Sequence, residues 1–181
     1  MRRPALFLDR DGVINIDHFY VHRPEHFHFI EGIFELVSAA NRAGYLVIVV
    51  TNQAGIGRGY YTEGDFHSLT SWMLDTFKQR GAKVDAVYFC PFHPEHGVGD
   101  YKRESDCRKP RPGMLLKASK EYSIDLERSI MVGDKISDIQ AGERAGVGRL
   151  LYFGRESDVV SGIAIHKLID AIPMLESKYL S

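Results

Sequence analysis

The 181-residue chain is the size of one ordinary domain and long enough to bury a substantial core. Apolar residues make up 44% and charged residues 26%, the balance of a soluble globular protein. Lys+Arg 23 against Asp+Glu 24 leaves a net charge of −1, so no global basic field draws the chain to nucleic acid or to a membrane surface.

At the start of the chain, Met1-Arg2-Arg3-Pro4 runs into only four apolar residues before Asp9, too few for a signal peptide or a membrane span. Those four, Ala5-Leu6-Phe7-Leu8, read as a strand buried on both faces. From Gly32 to Ala43, residues Ile33, Phe34, Leu36, Val37 and Ala40 recur at helical spacing, with Gly44 where a C-terminal cap belongs. The strongest strand, Tyr45 to Val50, ends at Thr51. Thr62 caps the next helix, with Asp65 three positions on in a near capping box. Phe66, Leu69, Met73 and Phe77 form its buried stripe, and Gly81 closes it. Val84 to Phe89 is a third strand, and Cys90 to Arg111, aperiodic and rich in Pro, Gly and charge, is a loop. Pro112 opens a helix running to about Tyr122. Ser129 to Val132 is a fourth strand ending at Gly133-Asp134, followed by a helix from about Ser137 to Ala145 and a fifth strand from Gly148 to Phe153. The last 25 or so residues are weakly patterned, with one helix expected around Lys167 to Leu175. Two cysteines do not make a disulfide framework, and a reducing cytoplasm is the expected setting.

Strands alternating with helices at this spacing imply a single three-layer, Rossmann-like α/β domain over residues 1–181, with a central, mostly parallel sheet. Ligands of such folds bind beyond the carboxyl ends of the strands. Asp9, Thr51 and Asp134 each follow directly on a strand, and the loop after the third strand leads to Lys109, so all four should meet at one rim.

That set matches the needs of phosphate-ester chemistry. A carboxylate attacks a phosphate dianion only when a cation neutralises the charge between them, and the leaving alkoxide needs a proton from a second acid. Asp9 and Asp11 can supply nucleophile and acid, with Arg10 between them expected to point away by strand alternation. Asp134 can complete an oxygen-rich magnesium site with Asp9. Thr51 offers a hydroxyl and Lys109 a positive charge to the phosphoryl group in transit. Taken singly, each of these residues has an ordinary reading as a turn, cap or solvated side chain. Only the ordered set at successive strand ends is specific.

Phe7-Leu8-Asp9-Arg10-Asp11-Gly12-Val13, Val50-Thr51-Asn52, Lys109-Pro110 and Gly133-Asp134-Lys135-Ile136-Ser137-Asp138 resemble the four motifs of the haloacid dehalogenase superfamily, in order. The second acid, Asp11, favours phosphoryl transfer over dehalogenation. Asp9 to His22, Thr51 to Gly59 and Cys107 to Met114 are further similar to the D-glycero-D-manno-heptose 1,7-bisphosphate 7-phosphatases, with the histidinol-phosphate phosphatases as close cousins; the similarity spans about residues 5–152. The resemblance implies that Asp9 is the nucleophile and Asp11 the acid and then the base for water. It implies magnesium held by Asp9, the Asp11 backbone carbonyl and Asp134, and phosphoryl stabilisation by Thr51 and Lys109. Asp17, His18, Phe19, Tyr20, Asn52, Gln53, Ala54, Arg108 and Lys135 would contact a small sugar phosphate, and Asp138 would orient Lys109 or a metal-bound water. Arg108 suits a second phosphate, which its planar fork can grip. A monomer is expected.

Only 41 residues lie between Asp9 and Thr51, most of them used by a helix and a strand, which leaves no room for a cap domain. The 90–107 loop departs from the family. Relatives fasten it with zinc through Cys-x-His and Cys-x-Cys pairs, and here those positions are Cys90, Phe92, Ser105 and Cys107. With two of four ligands gone, structural zinc is not expected, unless His93 or His96 substitutes. Phe92 should pack inward, with Cys90 and Cys107 left close together as reduced thiols. Two readings from other classes are disfavoured. A non-catalytic interaction module has no need of the complete catalytic set, and a receiver domain takes its phosphate at the end of its third strand, not its first.

Overall fold

The computed structural model describes residues 2–155, 158 and 161–175. Six parallel strands form one sheet in the order β3-β2-β1-β4-β5-β6: β1 Ala5–Leu8, β2 Leu46–Asn52, β3 Ala86–Cys90, β4 Ile130–Gly133, β5 Arg149–Phe153 and β6 Ile163–Ile165. The helices are α1 Ile33–Ala43, α2 Ala54–Gly57, α3 Glu63–Gln79, α4 Gly113–Tyr122 and α5 Ile136–Ala145, joined by short 3-10 turns at Pro24–His26, Gly99–Tyr101 and Leu168–Met174.

The strand period of two sorts the core into two layers. Leu6 and Leu8 of β1, Val47 and Val49 of β2, and Ile130 and Val132 of β4 face one cluster, closed by α1, α3 and the 168–174 turn. Ala5 and Phe7, Leu46, Ile48 and Val50, and Met131 face the other, closed by α4 and α5. All four β1 residues are fully buried, which is why that segment is apolar without alternation. The result is the expected three-layer arrangement. Among the described residues no further domain covers the carboxyl ends of the strands, and no helix is long and apolar enough to cross a membrane.

Local signals set the helix ends. Asp65 N–H donates to Thr62 Oγ1 at 3.0 Å, while Thr62 N–H donates to Asp65 Oδ2 at 2.8 Å, closing the capping box of α3. Gly44 takes the left-handed conformation that ends α1. Two elements were not expected. The short helix α2 lies in a Gly-rich segment too brief to show a period, and β6 is three residues long. The helix expected around Lys167–Leu175 is a 3-10 turn with Pro173 inside it; residues 176–181 lie outside those described.

The parallel register levels the strand ends. Leu8 pairs with Val49 and with Val132, so Asp9 emerges beside Val50 and Gly133, one residue short of Thr51 and Asp134. A cleft of about 550 Å³ opens above this line.

Candidate active site

Asp9, at the end of β1, is 5% exposed, and its Oδ1 accepts from Lys109 Nζ at 2.8 Å. Lys109 is 3% exposed and also reaches the Val50 carbonyl at 2.7 Å and Asp138 Oδ1 at 2.7 Å. Burial works against the charge on Lys109, but Asp138 and Asp9 outweigh it and hold the lysine above its ordinary value. Burial, followed by the charge of Asp138, raises Asp9 well above the ordinary carboxylate value. The same two causes push Asp134 up to about 6. The second oxygen of Asp138 accepts the Lys135 backbone N–H at 3.1 Å, so Asp138 is committed on both sides.

Asp11 is held by three side chains. Arg10 Nη2 (2.9 Å) and Asn15 Nδ2 (3.0 Å) donate to its Oδ1, and Gln53 Nε2 donates to its Oδ2 at 3.0 Å. Arg10 is therefore a correction to strand alternation. The extended chain ends at Asp9 and turns at Gly12, with Ile14 N–H donating to the Arg10 carbonyl at 2.8 Å, so the period of two no longer applies. Arg10 instead turns inward, 1% exposed, with its guanidinium 5.9 Å from the rings of both Phe27 and Phe66 and donating to the Val21 carbonyl at 2.7 Å. Gln53 also donates to Thr51 Oγ1 at 2.8 Å and accepts from the Tyr61 hydroxyl. One buried amide thus ties the β2 threonine to the β1 acid. Nothing in the local sequence marked Arg10 or Gln53 for these tasks, because their partners lie across the fold.

The residues fit a divalent cation. Asp9, Asp134 and Asp138 each place an oxygen within 4.8 Å of the others. Asp138 has both oxygens engaged, but Asp134 Oδ1 is buried with no hydrogen-bond partner among the described residues. Such an orphan is costly unless something else binds it. Gly12, at φ +96°, leaves room for the Asp134 carboxylate, which any Cβ there would strike. A hard cation bound through carboxylate oxygens matches this donor set.

The remaining expected residues divide. Asp17, Phe19, Tyr20, Asn52, Gln53, Ala54, Arg108 and Lys135 line the same cleft as Asp9, Asp11 and Lys109. Lys135 Nζ pairs with Asp17 Oδ2 at 3.2 Å across it. Asn52 spends its amide on the backbone of Lys109, accepting its N–H at 3.0 Å and donating to its carbonyl at 3.1 Å. His18 is not brought into this cleft; its ring lies edge-on to His28 at 5.2 Å, in a neighbouring groove. Arg108 is half-buried and donates to the Phe92 carbonyl at 3.3 Å.

In the 90–107 loop, Cys90 and Cys107 are joined as a disulfide, with Cα atoms 5.5 Å apart, rather than left as the free thiols expected. Phe92 packs against the second core layer beneath the Arg103 guanidinium, which lies 3.9 Å from its ring centre. His93 Nδ1 takes the backbone N–H groups of Glu95 (3.2 Å) and His96 (3.1 Å).

Comparison with known proteins agrees with this geometry. Residues 106–160 match the HAD-hydrolase-like family model. The chain is 56% identical to the D-glycero-alpha-D-manno-heptose-1,7-bisphosphate 7-phosphatase of Burkholderia mallei, over 97% of this chain and 95% of that one. It is 56% identical to the D-glycero-beta-D-manno-heptose-1,7-bisphosphate 7-phosphatase of Vibrio cholerae, over 82% and 80%. Its structure superposes with a TM-score of 0.82, at 27% identity and over 95% and 97% of the two chains, on the D,D-heptose 1,7-bisphosphate phosphatase of B. bronchiseptica complexed with magnesium and phosphate. With near-complete coverage at this identity, the chain belongs to the D-glycero-D-manno-heptose 1,7-bisphosphate 7-phosphatases, phosphate-monoester hydrolases of the haloacid dehalogenase superfamily.

Proposed function

We propose that this chain hydrolyses the 7-phosphate of D-glycero-D-manno-heptose 1,7-bisphosphate through a phospho-aspartate on Asp9. The observation that carries this reading is the convergence of Asp9, Asp11, Thr51 and Lys109 beside an Asp134 oxygen buried without a partner. An Asp9 oxygen bonds to phosphorus as the bond from phosphorus to the sugar oxygen breaks, and Asp11 delivers a proton to that oxygen. Asp11 then takes a proton from water, whose oxygen attacks phosphorus and frees Asp9 as inorganic phosphate leaves. Lys109 and Thr51 donate to the phosphoryl oxygens in transit. Asp9, the Asp11 backbone carbonyl and Asp134 would hold magnesium, which when bound supplies the positive charge that lets a carboxylate approach a phosphate dianion.

In this reading Asp17, Phe19, Tyr20, Ala54 and Lys135 face the sugar, Arg108 faces the second phosphate, and Asn52, Gln53 and Asp138 act by positioning their neighbours. Residues 1–181 work as one phosphatase domain, as a monomer in the cytoplasm. The seated Phe92, which cannot ligate a metal, supports a 90–107 loop held without zinc.

One set of measurements on freshly purified, chelator-free protein tests the proposal. Phosphate release is followed from both heptose bisphosphate anomers and from histidinol phosphate, with and without magnesium, alongside metal analysis. The expected result is a preference for a heptose bisphosphate of at least about tenfold in kcat/KM, loss of turnover on chelation, recovery with magnesium, and no stoichiometric zinc. Faster hydrolysis of histidinol phosphate, or turnover indifferent to magnesium, overturns the reading.

A further inference from the structure

The two carboxylate oxygens of Asp11 sit in unlike surroundings. Oδ1 accepts from Arg10 Nη2 at 2.9 Å, from Arg10 Nε at 3.3 Å and from Asn15 Nδ2 at 3.0 Å. A guanidinium and an amide NH2 can only donate, so a proton placed on Oδ1 would face donors alone. Oδ2 meets a single side-chain donor, Gln53 Nε2 at 3.0 Å, and Gln53 lines the cleft. Both groups on Oδ1 are fixed from behind. Arg10 is 1% exposed, and the same Nη2 that reaches Asp11 donates to the Val21 carbonyl at 2.7 Å. Its guanidinium lies 5.9 Å from the ring centres of Phe27 and of Phe66, while Nη1 is buried with no hydrogen-bond partner among the described residues. An incompletely paired guanidinium is costly to bury, so packing alone is a poor reason for an arginine here. Asn15 is fully buried, and its Nδ2 also donates to the Ile16 carbonyl at 3.0 Å. Turning that amide over would set oxygen against oxygen at both contacts, which fixes its orientation.

We propose that Arg10, assisted by Asn15, is a positioning residue that reserves Oδ1 of Asp11 as an acceptor and so makes Oδ2 the oxygen that carries the proton. The assignment rests on the reading of Asp11 as acid and then base given above. In the first half-reaction the proton on Oδ2 passes to the sugar oxygen as the bond from that oxygen to phosphorus breaks, which leaves Asp11 a carboxylate. In the second, Oδ2 takes a proton from the water whose oxygen attacks phosphorus, and the acid is restored. Without the guanidinium the carboxyl group can turn and hold its proton on either oxygen, one of them facing away from the substrate. Charge-assisted bonds from a planar fork suit this task, because they fix direction as well as distance. The nitrogen shared with the carbonyl of Val21, a residue 2% exposed, ties that direction to the core rather than to the exposed residues Phe19 and Tyr20.

A sugar alkoxide needs that proton to leave, whereas 4-nitrophenolate departs without one. The test therefore compares kcat/KM, which covers the steps up to release of the alcohol, on the heptose bisphosphate and on 4-nitrophenyl phosphate. Wild type is set beside Asp11→Asn, Arg10→Met, Arg10→Lys and Asn15→Ala. Asp11→Asn is expected to lose at least about 100-fold more on the sugar than on the aryl substrate. Arg10→Met should show the same bias at roughly 10- to 100-fold. Arg10→Lys should recover part of it, since an ammonium keeps the charge but not the fork. Asn15→Ala, which removes one donor from Oδ1, should show a smaller bias of the same sign, and it carries the test if circular dichroism shows Arg10→Met unfolded. A residue that only holds the fold together would lower both substrates alike. Equal losses on the two substrates in Arg10→Lys and Asn15→Ala, with the bias present in Asp11→Asn, overturn the role of Arg10 alone. No bias in Asp11→Asn overturns the acid reading of Asp11 and this assignment with it.

Discussion

At one end of the cleft, Asp9, Thr51 and Asp134 ride on β1, β2 and β4, whose side chains are almost wholly buried and whose register holds the three strand ends level. At the other end the wall is assembled from loops: residues 17–20, the start of α2, and the long loop after β3, where Arg108 is held against the Phe92 carbonyl. The strand-borne end inherits its positions from the sheet core, which tolerates little movement. The loop-borne end depends on a few contacts between segments far apart in sequence, such as Gly57 against Pro91. Chemistry placed on the rigid end and recognition on the adaptable end lets substrate preference drift without disturbing phosphoryl transfer.

The sharpest way to break this comparison is Asp9→Asn. It should cut turnover by at least about 1000-fold, to the same degree on a bisphosphate and an aryl phosphate, while circular dichroism reports an unchanged fold. The fold should survive because the amide oxygen can still accept from Lys109. Near wild-type turnover, or a loss confined to one substrate, would place Asp9 outside the shared chemistry.

Gln53→Leu probes the seam between the two regions, since Gln53 follows β2 and holds both Asp11 and Thr51. A drop in kcat of about 100-fold on both substrates is expected, with KM little changed. Stability should fall by about 1–3 kcal/mol, because the buried Tyr61 hydroxyl loses its acceptor. A loss carried by KM and seen only with the sugar substrate would move Gln53 to the recognition end.

The smallest expected effect is on pH dependence. Burial and Asp138 push Asp134 from 3.8 up to about 6, and burial raises Asp9 in the same direction. Through this window the folded chain binds more protons than the unfolded one, so metal-free stability should decrease as pH rises from about 4 to about 6. Magnesium competes with those protons, so its apparent affinity should weaken as pH falls below about 6. Thermal melts with and without magnesium across pH 4–8 check both signs; metal-free stability that rises with pH over that span would contradict the description of Asp134.

The strand-borne end was largely readable in advance. The apolar run Ala5–Leu8 stopping at Asp9, and the strand stopping at Thr51, already implied a common rim. The rest was less so. Arg10 was expected to point away, and instead it is buried against Asp11, because the chain leaves extended geometry one residue earlier than alternation assumes. His18 falls in a neighbouring groove with His28, outside the cleft its motif implied. Cys90 and Cys107, expected close together as reduced thiols, are instead joined, the segment between these positions 17 apart folding back on itself with Phe92 partly buried against the core.

By itself the sequence determined the layers, the parallel sheet and the identity of the residues at its carboxyl rim, because burial on two faces and strand-end placement are properties of local pattern. Only the tertiary structure decided which side chains serve those residues: Arg10, Asn15 and Gln53 on Asp11, Asp138 on Lys109, and Asn52 on the Lys109 backbone. The physical reason is sequence separation. A hydrogen bond between Asn52 and Lys109 spans 57 residues, and no periodicity in either segment records a partner that arrives only once the sheet has closed.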